Sequence, residues 1–78
     1  MPKQTFLTES DLANWAKKSR KEAGKSKADA ARELGVSTPS IYNAEERPEM
    51  SLAKLRIRMI KTYSKHEVVG PVYYLKCK

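Results

Sequence analysis

The side chains able to make or break bonds are few and scattered. One histidine, His66, stands in the polar stretch "SKHE", and one cysteine, Cys77, stands near the end of the chain. Serines and aspartates occur, but no nucleophile, base and orienting acid fall into a recognisable set. One Cys and one His make a poor metal cage, and a single Cys forms no disulfide within the chain. No glycine-rich loop is present to cradle a phosphate. The chemistry that remains is charge. Sixteen Lys/Arg stand against nine Asp/Glu, a net of +7. The balance is uneven: residues 1–51 hold nine basic against eight acidic side chains, and residues 52–78 hold seven against Glu67 alone. Such a segment favours a polyanion such as nucleic acid, or is simply a solvated basic surface. The chain is therefore expected to be no enzyme, with no cofactor, no metal and no evident small-molecule ligand.

The elements that must position this charge are short. Seventy-eight residues make one small domain with a modest core. With disulfide and metal set aside, oligomerisation is the remaining stabilising device. No apolar run is long enough to span a membrane. The start, "MPKQTFLTES", lacks the apolar centre of a secretion signal. A cytoplasmic location with a reduced thiol is the expectation.

Residues 1–7 read as an arm. "LTESDLANWAKKSRKEAG" then reads as a helix, with Thr8 as N-cap, Asp11 three positions on, and Leu7 and Leu12 placed for a hydrophobic staple. Leu12, Trp15, Ala16 and Ala23 share a face, and Gly24 is the stop. A second helix follows the N-cap Ser26 over about 27–34, with Ala30, Ala31 and Leu34 inward. A third starts after Ser37, with Pro39 in its first turn, where a missing N–H costs nothing. A fourth covers about 49–63, opened by Pro48 and Glu49. Leu52, Leu55, Met59, Ile60 and Tyr63 form its apolar stripe. "EVVGPVYYLKC" favours extended structure. A lone strand there has no partner in the monomer, so Val68, Val69, Val72, Tyr73, Tyr74 and Leu75 are expected to form a dimer contact.

The corner "AARELGVSTPSI" carries the most information. A small residue (Ala31), a turning glycine (Gly35), a plug (Val36) and the locking pair Leu34 and Ile41 are what two helices crossing at a tight corner require. This spacing is that of a helix-turn-helix, whose second helix enters a DNA major groove. A plain αα-hairpin with a glycine corner is the alternative.

Residues 27–46, "KADAARELGVSTPSIYNAEE", resemble the helix-turn-helix of phage Cro and cI-type repressors, most closely over "AARELGVSTPSI". "PEMSLAKLRI" is similar to the start of the fourth helix in some Cro proteins. The resemblance implies base-reading positions at Thr38, Pro39, Tyr42, Asn43 and Arg47. An Asn43 amide pairs with adenine, Thr38 meets a thymine methyl or a phosphate, and Arg47 reaches a phosphate or a guanine. Phosphate contacts are expected from Lys25, Ser26, Lys27, Ser40, Lys54 and Arg56, with Arg58 and Lys61 as further candidates. The family commonly carries a bracing glutamate at the Glu45 position. Glu46 has no such account and would repel phosphate.

The expected fold is mainly α: a four-helix Cro/cI-like helix-turn-helix domain over residues 1–78, with a C-terminal β-strand in the extended segment 66–78 paired across a dimer. The expected function is sequence-specific binding of double-stranded DNA as a homodimer on a palindromic operator, as a repressor of a phage or mobile element. Two rivals are a helix-turn-helix interaction module, such as an antitoxin or antirepressor whose tail binds another protein, and a non-specific or RNA-binding basic module.

Overall fold

A computed structural model describes residues 7–69 and 74–77. Helix α1 spans Glu9–Glu22, α2 Lys27–Leu34, α3 Thr38–Glu46 and α4 Ala53–Tyr63. Strands β1 (His66–Val69) and β2 (Tyr74–Cys77) follow. None of these helices is long and apolar enough to cross a membrane.

The caps expected from sequence are in place. Thr8 and Asp11 form a reciprocal capping box at α1, and Ser26 and Asp29 form another at α2. Ser37 caps α3, with Pro39 in its first turn. Each box satisfies two amides that a helix start would otherwise leave open.

The core is small side chains under a few large ones. Leu12 and Ala16 of α1, Ala30, Ala31 and Leu34 of α2, Ile41 and Ala44 of α3, and Leu55, Met59 and Ile60 of α4 form one buried cluster. The alanines let backbones approach closely, and α1 packs most extensively against α4. Ala23, assigned to the inner face from its spacing, is exposed at the C-cap of α1, beyond the reach of the core.

Two further expectations need correction. Helix α4 begins at Ala53 rather than near Glu49, because residues 48–51 turn first. The Arg47 carbonyl accepts from the Met50 N–H at 3.1 Å and from the buried Arg56 guanidinium at 2.6 Å. Those two donors draw the chain into a tight turn before it can wind.

The tail is not a lone strand. β1 and β2 pair antiparallel within the chain, with Val68 opposite Leu75 and Val69 opposite Tyr74. Pairing with a neighbour in sequence closes only a short loop, whose entropy cost is small. Val68 and Leu75 pack against the helical core, so these two are not the open dimer surface expected of them. Val69 is half-buried, and Val72 and Tyr73 lie outside the described residues. His66, expected alone in a polar loop, starts β1 and meets the Trp15 ring edge-on at 5.6 Å, fastening the hairpin to α1.

Tyr63, near the end of α4, donates its hydroxyl to Glu33 at 2.5 Å. Burial first, then that bond, pushes the Tyr63 phenol up to about 12, from an ordinary value near 10. Its neutral form is therefore favoured by the fold. Stability from this contact is complete below pH 10 and is lost as pH rises from 10 towards 12. Ultraviolet titration should show one of the four tyrosines ionising late, and Y63F should remove that late step.

Candidate nucleic-acid interface

The α2–α3 corner is built by backbone geometry. Gly35 lies at φ 71°, ψ 33°, and its successor Val36 donates its N–H to the Ala31 carbonyl at 2.9 Å. The Gly35 N–H donates to the same carbonyl, so both turning amides are held at the end of α2 while the chain reverses. A Cβ on Gly35 would touch nothing within 4 Å, so the demand is conformational rather than steric packing. G35A should cost about 1–2 kcal/mol, the penalty of a left-handed L-residue. G35N should cost less, since Asn tolerates that region. Urea unfolding of the two variants checks the order.

Helix α3 divides into two faces. Ile41, Ala44 and Glu45 are buried. Thr38, Pro39, Tyr42 and Glu46 are exposed, with Asn43 half-buried at the edge of the stripe. Tyr42, 48% exposed, is one of two large apolar side chains reaching solvent among the described residues. The Asn43 carboxamide forms no hydrogen bond among them, so its donor and acceptor are both unspent.

Two buried guanidinium groups hold the far end of α3. Arg20 of α1 grips Glu45 with two hydrogen bonds, Nε to Oε2 at 2.6 Å and an Nη to Oε1 at 3.1 Å. It also donates to the Lys25 carbonyl at 2.7 Å. Arg56 of α4, wholly buried, donates to the Ala44 carbonyl at 2.8 Å, the Arg47 carbonyl at 2.6 Å and the Glu9 carboxylate at 2.6 Å. Cations suit the carbonyl end of a helix, and the planar fork of Arg serves several acceptors at once. Every buried side-chain polar atom among the described residues has a partner.

The expected contact residues separate accordingly. Arg56 is corrected: a side chain with no exposed surface does not meet a phosphate, and each of its three nitrogens donates to a partner within the fold. Arg20 and Arg56 were missed as structural residues, although the signal was present. Arg20 lies four positions after Ala16, and Arg56 lies three before Met59 and four before Ile60, both on inner stripes. Glu45 faces inward, as the resemblance implied. Glu46 is drawn to Lys17 of α1 at 2.8 Å, and the hydrogen bond from Lys17 holds its carboxyl below the usual range.

Ser26, Lys27 and Lys25 cluster where α2 begins. Ser26 is exposed, and its hydroxyl and amide serve the capping box, leaving over the next two amides. Hydrogen bonds from Ser26 hold the Asp29 carboxyl below the usual carboxylate range, and Asp29 also meets Arg32. Lys25 pairs with Glu33 at 3.0 Å. Ser40 shares a hydroxyl contact with Ser37 at 2.7 Å. Lys54 is exposed and has no acidic partner among the described residues. Ser40 and Lys54 line an open groove between the starts of α3 and α4, floored by Val36, Met50 and Leu52. Arg58, also on that groove, donates to the Leu34 carbonyl at 3.0 Å and closes the end of α2. Arg47 follows α3, and its guanidinium turns to Glu49 at 3.6 Å. It therefore sits about 13 Å along the helix axis from Thr38, at 1.5 Å per residue.

Among the described residues no group of three His, Cys, Asp or Glu side chains converges to hold a metal ion. Comparison with protein-family models, with curated proteins and with solved structures returned no match.

Proposed function

We propose that this chain binds double-stranded DNA sequence-specifically as a homodimer on a palindromic operator and acts as a Cro-like transcriptional repressor, α2 and α3 forming its helix-turn-helix. The supporting observation is the construction of α3. Its first turns expose Thr38, Pro39 and Tyr42, while two buried arginines and a capped glycine corner fix its other face. A helix used to read bases must be held rigidly from behind and left open in front. Backbone affinity comes from Ser26, Lys27, Ser40 and Lys54, each true phosphate contact changing the salt slope by about 0.9.

The dimer contact is the outer edge of the hairpin. Pairing β1 with β2 uses one edge of each strand, and a two-stranded sheet leaves the others for a second copy. Two domains so joined present two reading helices to half-sites one turn apart.

Selected-site binding from a random duplex pool, at stated salt, tests the reading. A palindromic consensus is the expected result. Enrichment of no sequence, with affinity tracking salt alone, overturns it. Sedimentation of the free chain as a monomer at the binding concentration overturns the homodimer.

A further inference from the structure

The α3 stripe also indicates which bases are read, an inference that rests on the reading above. Four base edges are open in the major groove, and each selects a side-chain type. Guanine is taken by Arg or Lys, cytosine by a free carboxylate, adenine by Asn or Gln, and thymine by an apolar contact with its methyl group.

The first two types are withheld from this surface. No Lys or Arg lies within α3. Arg47, just beyond it, is turned to Glu49 and stands at the end of the helix remote from Thr38. Of the two carboxylates, Glu45 has no exposed side-chain surface and is gripped by Arg20. Glu46 is paired with Lys17 at 2.8 Å.

The other two types are present and open. Thr38 offers a methyl group, Pro39 an apolar ring, and Tyr42 a half-exposed aromatic face. Asn43 is half-buried, and its carboxamide makes no hydrogen bond to the described residues. An amide without a partner in the fold has both groups for the two-bond pairing that adenine N6 and N7 require.

We infer that the half-site facing α3 consists of A·T pairs read in the major groove, with thymine methyl groups against Thr38, Pro39 and Tyr42 and one adenine on Asn43. Selectivity comes from apolar contact and a single amide, without guanine recognition.

The experiment is selected-site binding with the full chain, followed by two changes to the winning duplex and protein. Replacing thymine by uracil in the half-site removes only the methyl. Each contacted position should lose roughly fourfold in affinity, what burial of one methyl is worth. N43A should relax preference at one A·T position and leave the others. A palindrome rich in G·C under α3 overturns this inference and leaves the operator reading standing. An A·T-rich palindrome indifferent to both changes also overturns it, because the preference then lies in groove shape. Enrichment of no sequence overturns both.

Discussion

Replacing Glu45 by alanine should remove about 3–5 kcal/mol of stability, the largest single effect expected in this chain. The reason is the partner left behind. The Glu45 side chain has no exposed surface and Arg20 keeps 6%, so water cannot replace the lost carboxylate. Arg20 keeps its bond to the Lys25 carbonyl, which is neutral and satisfies one branch of the fork. The loss is about a fifth or more of what a small domain possesses. Urea unfolding followed by helical circular dichroism measures it. Replacing both partners, as in R20M with E45M, should recover most of the loss, since a well-packed apolar pair serves about as well as a buried ion pair. An E45A cost below about 1 kcal/mol would mean that the pair stands in water.

R56M should be nearly as damaging, at about 3–5 kcal/mol. It strips the Ala44 and Arg47 carbonyls and the Glu9 carboxylate of their shared donor. The buried Ala44 carbonyl left without that partner costs about 1–3 kcal/mol, whereas the Arg47 carbonyl keeps the Met50 N–H. The Glu9 arm contributes less, because that carboxylate is 43% exposed. R56K keeps the charge but loses the fork, and a single ammonium cannot span two carbonyls and a carboxylate in fixed directions. It should fall between wild type and R56M. A surface phosphate contact would behave oppositely: stability unchanged, and the slope of log affinity against log salt reduced by about 0.9. Measuring both quantities on one variant separates the two roles.

Much of the fold was legible because it is set locally. The Thr8, Ser26 and Ser37 caps, Pro39 in a first turn and Gly35 at a corner are decided within four or five residues of chain. The start of α4 was misplaced because its cause lies nine residues away, where Arg56 takes the Arg47 carbonyl. The exposure of the proposed contact residues was half legible. Thr38, Pro39 and Tyr42 lie exposed where helical periodicity puts them, whereas the basic side chains sorted by burial rather than by type.

The charge makes the division plain. The sequence by itself determined how much positive charge the chain carries, where its first three helices start and most of the apolar stripes they bury. Only the tertiary structure decided what each charge does. Arg20 and Arg56 became internal clamps, Glu45 an anchor, and Lys17 the partner of Glu46. The tail likewise became a hairpin resting on Trp15 and the core instead of a lone strand. Caps and periodicity act over one turn and are written in the order of residues. A guanidinium finds its acceptors across 25 residues or 47, and only packing brings those groups within 3 Å.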